Sequence, residues 1–97
     1  MDINWTEKAV WLLEDNLDYW INKNKSSEYS FKILDELNLI EKSISEDPYF
    51  LAKFKEEVKL YQRNFLNNKF ALLYEINEEE NLIIIKLFRN NRQRPLL

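Results

Sequence analysis

Apolar residues recur three or four positions apart through the first half of this 97-residue chain, and every second position through most of the rest. Val10, Leu13, Leu17 and Trp20, with Ile21 beside the last, mark one face of an amphipathic helix running to about Asn22. Thr6 is a good N-cap for it, and Glu7 suits the positive end of the helix dipole. A second stripe, Ser30, Ile33, Leu37, Ile40 and Ile44, follows a polar break at residues 22–25. Ser26 or Ser27 can cap this second helix, and Asp47-Pro48 ends it, because a residue before proline avoids helical geometry. The link is short, so the two helices are expected to form an antiparallel hairpin.

The strand pattern brackets this hairpin. Ile3 and Trp5 alternate before it, as a first strand pressing two side chains inward would. Residues 49–57 read as a loop with a helical turn. Residues 58–66 alternate, with Val58, Leu60, Gln62 and Asn64 on one face and Lys59, Tyr61, Arg63 and Phe65 on the other. Asn67-Asn68 reads as a tight hairpin turn. The next strand, 70–76, puts Phe70, Leu72, Tyr74 and Ile76 on one face, and residues 77–80 form a solvated turn. Six of the seven residues 82–88 are apolar, and Ile83, Ile84 and Ile85 are β-branched. That stretch is too short for a membrane span, which needs about 20 apolar residues. It predicts a strand in the middle of the sheet, buried on both faces. The expected fold is α+β with the order β-α-α-β-β-β, a helical hairpin covering one face of a small, largely antiparallel sheet.

Composition narrows this picture. The length allows one domain, residues 1–97, and the hydrophobic fraction of 45% suits a folded chain with a modest core. Cysteine is absent, which excludes disulfides and thiol catalysis and suits a reducing compartment. Histidine is absent too, so the usual general base and the commonest metal ligand are missing, and no metal site is expected. The charged first helix, with Glu7, Lys8, Glu14 and Asp15, is unlike a signal peptide, so a cytoplasmic protein is expected. Glycine is also absent. Turns needing positive φ are expected at asparagines, namely Asn22, Asn24, Asn67, Asn68, Asn77, Asn81, Asn90 and Asn91. No phosphate-cradling glycine loop exists, so no nucleotide cofactor is expected.

Charge is unevenly spread. Residues 1–47 carry a balance of −6 and residues 48–97 one of +3, and residues 81–97 hold four basic residues and no acid. Such asymmetry fits an anionic partner for the second half. It fits equally an acidic helical face and a basic sheet edge kept for solubility. Lys59, Tyr61 and Arg63 share one strand face, a basic and aromatic strip suited to phosphate and base contacts. Lys86 points away from the Ile83/Ile85/Leu87 face and can join them. Arg89, Arg92 and Arg94 add charge at the edge. The same residues also read as the wet face of a half-buried sheet. The acidic pairs Glu56-Glu57 and Glu78 to Glu80 read as solvated charge.

This order, with these residues, resembles the RelE/ParE superfamily of bacterial type II toxin–antitoxin modules. The resemblance rests on Trp5-Thr6-Glu7-Lys8-Ala9, Asp47-Pro48, Arg63, Phe70-Ala71-Leu72-Leu73-Tyr74-Glu75-Ile76, Ile83-Ile84-Ile85 and Arg92-Gln93-Arg94-Pro95, in that order over nearly the whole chain. It implies a growth-inhibiting toxin, of the kind that stabilises plasmids, held silent by a cognate antitoxin. Such toxins either cut messenger RNA on the ribosome or poison DNA gyrase. The RNA-cutting version implies catalytic roles for Arg63, Lys59, Lys86 and Arg92 and RNA contacts from Tyr61, Arg89, Gln93 and Arg94. Trp11, off the first helical stripe, is expected either to meet the antitoxin or to cover the edge of the core. The chain departs from the RNA-cutting pattern at Ala71, where arginine is frequent, and in having no histidine and no tyrosine after Tyr74. Arginine is a poor proton donor or base, and a lysine would need a lowered pKa to serve. A gyrase poison, or a non-enzymatic antitoxin-binding module, needs only a surface.

Overall fold

The computed structural model describes residues 1–92. Thr6 caps helix α1, Glu7–Asn24, with its hydroxyl accepting from the Ala9 N–H at 3.1 Å. The buried face of α1 is turned slightly from the expected stripe. Ala9, Leu13, Leu17 and Trp20 face the core, while Val10 and Ile21 are exposed. Ala9 is fully enclosed, and its small side chain lets the helix approach the sheet closely. Asn16 is also buried there, and its amide donates to the Leu12 carbonyl one turn back at 2.9 Å. Helix α2, Glu28–Glu46, buries Ser30, Ile33, Leu37 and Ile44 as its spacing predicted. Ser27 holds the N-cap position without a side-chain bond, and Ser26 Oγ instead accepts from the Glu28 N–H. The Ser30 hydroxyl donates to the Leu17 carbonyl at 2.8 Å, tying the two helices together.

Five strands form one sheet in the order β1-β5-β4-β3-β2, where β1 is Asp2–Trp5, β2 Lys53–Lys55, β3 Leu60–Phe65, β4 Phe70–Asn77 and β5 Leu82–Asn90. All neighbours are antiparallel except β1 and β5, which run parallel with Ile3 opposite Ile83. The parallel pair is accessible because a crossover of two helices and three strands separates its members. The helices cover one face of the sheet, so the fold is α+β, as expected.

Three expectations need correction. Residues 53–55, expected in a loop, form β2 at the sheet edge, too short for its alternation to be visible. The strand buried on both faces is β4, not β5. From Phe70 to Tyr74 every β4 residue is buried, whereas β5 leaves Ile84 and Leu87 half-exposed. β4 has two long partners, while β5 borders only the short β1 on its other side, and no helix covers the open face. Finally, Leu87 does not share a face with Ile83 and Ile85. Leu73 pairs with Leu87 and Tyr74 with Ile85, so Lys86 is an unpaired bulge residue and the alternation slips there.

Under the helices lie Phe65, Phe70, Leu72, Tyr74, Ile83, Ile85 and Phe88, packed against Ile33, Leu37 and Ile44. The rings of Phe65, Phe70 and Phe88 lie 5.7 to 6.1 Å apart, centre to centre. A smaller apolar group on the open face holds Leu60, Ala71 and Leu73, with Val58 and Leu87 at its margin. Of the eight asparagines expected at positive φ, Asn22, Asn24, Asn77, Asn90 and Asn91 do not have it, whereas Asn67, Asn68 and Asn81 do. Lys25, Leu51, Lys59 and Leu66 have it too, at turns where the chain must reverse and no glycine is present. Among the described residues no helix is long and apolar enough to cross a membrane.

Candidate functional site

The residues proposed to work together on β3 do not form an open strip. Tyr61, Arg63 and Phe65 point to the helix-covered side, because the aromatic members of that face pack on β4. Tyr61 lies 6.3 Å from the Tyr74 ring, and Phe65 lies 5.9 Å from Phe70. Arg63, between them, is therefore carried inward and is only 7% exposed. Its Nη1 donates to Ser43 Oγ of α2 at 3.2 Å and to the Phe50 carbonyl at 3.1 Å, and the guanidinium lies 5.6 Å from the Phe50 ring centre. Arg63 thus clamps the loop after α2 onto the sheet. The Tyr74 hydroxyl makes a second tie to that loop, donating to the Pro48 carbonyl at 2.6 Å. Burial pushes the Tyr74 phenol up to about 12, with Arg63 acting in the opposite direction.

The remaining candidate cations stand apart. Lys59 precedes β3 in a tight turn and forms an exposed ion pair with Glu56 at 2.8 Å. Lys86, on the bulge, faces the open side, where it lies 3.7 Å from the Glu75 carboxylate. Both partners are about half exposed, so this pair contributes little binding energy. Arg89 is half-buried opposite Ala71, which in turn pairs with Asn64. Arg92 lies past the end of β5, exposed, beside the groove between the helical hairpin and the β3–β4 turn. Gln93 and Arg94 lie outside the described residues.

The open face is consequently an apolar centre edged by amides, by the Lys86–Glu75 pair and by Arg89. Gln62 donates to Asn64 at 2.8 Å, and Asn91 donates to the same Asn64 oxygen at 3.1 Å. Such a face can bind by contact and hydrogen bonding. Among the described residues no set of cations gathers there around one point, as phosphoryl chemistry needs. Among the described residues no cluster of acids could hold a metal ion.

The missed surface lies at the other edge. Tyr49, Phe50, Leu51 and Phe54 are all exposed, Leu51 to 71%, along and beside β2. Tyr61 ties this group to the sheet through edge contacts with Tyr49 and Phe54, at 5.4 and 5.1 Å. The Tyr49 hydroxyl donates to Glu78 at 2.8 Å, and that bond raises its pKa. A run of three apolar residues after Asp47-Pro48 was the available signal, too short to mark an element. Trp11 is 63% exposed and lines a shallow groove with Val10 and with Trp5, which packs against the core.

Compared with protein-family models, with curated proteins and with solved structures, the chain matches none.

Proposed function

We propose that this chain is the toxin component of a type II toxin–antitoxin module of the RelE/ParE kind, that it acts in the cytoplasm by binding its target, and that a cognate antitoxin silences it. One observation carries the binding reading: Tyr49, Phe50, Leu51 and Phe54 are exposed together along β2, the outermost strand of the sheet. Grouped apolar side chains of this kind on a small protein mark a contact surface. Lys53 and Lys55 on β2 keep an edge from pairing at random, but the apolar residues beside them do not serve that end. An extended acidic segment that pairs with β2 would satisfy both the edge and its lysines. A helical hairpin on one face of a mostly antiparallel sheet supports the reading at the level of the α+β class, with β2 as a strand beyond the expected order, although a fold does not by itself carry a function.

Cutting messenger RNA asks for a base, an acid and phosphate-binding cations at one place. Arg63, Lys59, Lys86 and Arg92 are spread over the helix-covered side, an edge turn, the open face and the end of β5. Binding without cleavage, as in gyrase inhibition, asks only for a surface.

Expression of the chain alone should arrest growth with transcripts intact, and co-expression of the protein from the neighbouring reading frame should relieve the arrest. Leu51→Glu with Phe54→Glu should abolish the complex with that protein. New cuts at codon boundaries in primer extension would replace binding by RNA cleavage as the mode of action. Loss of supercoiling by purified gyrase would identify the target. Growth without arrest would overturn the toxin assignment.

A further inference from the structure

A cavity of about 250 Å³ opens at the end of the molecule where the helical hairpin turns over the β3–β4 connection. Its apolar walls are the rings of Trp20, Tyr29 and Phe70. Trp20 and Tyr29 meet edge to face at 4.7 Å, and Tyr29 lies 6.3 Å from Phe70. Two cations, Lys69 and Arg92, line the same cavity, with the Asn24 amide. None of the acids among the described residues lines it, and Asp15 and Glu28 line the two adjoining grooves instead. An acid-free, twice-cationic cavity is unexpected in a chain of net charge −3.

The Trp20 indole nitrogen is enclosed and, among the described residues, has no hydrogen-bond partner. Native folds seldom keep a buried donor without an acceptor. Trp20 is wedged between the Lys23 ammonium, 5.1 Å from its ring centre, and Tyr29.

We propose that this cavity binds a small aromatic anion, a single flat ring carrying a carboxylate or phosphate. The three aromatic walls take the ring, and Lys69 and Arg92 take the charge. The volume lies below the roughly 300–1,000 Å³ of ordinary ligand pockets, which limits the guest to about one ring and one charged group. Arg92 is held at the rim through its backbone N–H, which donates to Asn90 Oδ1 at 2.9 Å. Its guanidinium is close enough to Tyr29 to oppose the rise that burial imposes on that phenol. The site is independent of the toxin reading, since it shares no residue with the β2 edge.

The three tryptophan indole N–H signals in a proton–nitrogen correlation spectrum give a direct readout, with Trp20 assigned by its loss in Trp20→Phe. Titration with 4-hydroxybenzoate and with phenyl phosphate separates a carboxylate from a phosphate as the charged group. One of them should shift the Trp20 signal saturably, whereas phenol and inorganic phosphate should bind at least about tenfold more weakly. Lys69→Gln and Arg92→Gln, both at exposed positions, should each weaken binding by about tenfold while leaving the rest of the spectrum in place. The proposal fails if the Trp20 signal stays still up to about 10 mM of both anions, beyond the weakest binding of interest. It fails equally if phenol binds as well as the tighter of the two anions, or if the double variant Lys69→Gln/Arg92→Gln binds as tightly as the parent.

Discussion

Arg63 shows how one side chain changes role with its surroundings. In water a strand arginine is a phosphate ligand waiting for a partner. Enclosed under α2, with a hydroxyl and a carbonyl as acceptors, it is a clamp between the sheet and the 48–52 turn. Hydrogen bonds from a charged donor contribute about 1.5–3 kcal/mol. Arg63→Ala should therefore lower the urea midpoint by the equivalent of about 2 kcal/mol and speed proteolysis after α2. An exposed catalytic arginine would lose activity at unchanged stability, so the two roles separate cleanly. Glu41 gives a prediction in pH. Burial raises its pKa, opposed by a hydrogen bond from Trp5. The folded state then holds its proton more tightly than the unfolded one, so stability falls as pH rises through the range just above the usual carboxylate value. Glu41→Gln removes this loss. Its stability relative to the parent, measured by urea unfolding, should rise as pH climbs from the usual carboxylate range upward. A constant difference across that range would count against the buried-carboxyl account.

Among the elements, the helical hairpin carries a visible strain. Lys25 ends α1 in the left-handed region, at φ 55° and ψ 31°, where helices commonly place glycine. A side chain there costs about 1 kcal/mol, partly offset by the larger freedom of glycine in the unfolded chain. Lys25→Gly should raise the thermal midpoint, by the equivalent of about 0.5–1 kcal/mol, and no rise would mean that Lys25 is unstrained. The strand bulge at Lys86 has a different effect. It turns Leu87 to the open side and lets Phe88 rejoin the core, so β5 can follow β4 through both its halves. Helix caps and stripes were readable because they depend on neighbours within one turn. The bulge was not, since nothing in Ile83 to Phe88 marks where a two-residue alternation will slip.

At the scale of the molecule, packing is concentrated on β4, which is buried on both faces and paired on both sides from Phe70 to Tyr74. Amides there should exchange with solvent only through global opening, whereas β2 should exchange orders of magnitude faster, as few contacts hold it. Hydrogen exchange followed by NMR would reveal the gradient, and equal protection of β2 and β4 would contradict it. The two ends of the sheet differ in kind. One side edge carries the aromatic and aliphatic group around β2. The end below the helical hairpin carries the cationic cavity between Trp20, Tyr29 and Phe70.

Local order was written in the chain. The 3.6-residue stripes set two helices, Thr6 and Asp47-Pro48 set their limits, and alternation with Asn67-Asn68 set the hairpin of β3 and β4. The face that β3 turns inward was not. Leu60 and Val58 on one side weigh about the same as Tyr61 and Phe65 on the other, and each side also carries two polar residues. Only contact with Phe70 and Tyr74 decided it, because rings stacked across a sheet bury more area than two aliphatic chains on a face with no helix above it. That choice took Arg63 inside, and with it the surface that the sequence pattern had offered.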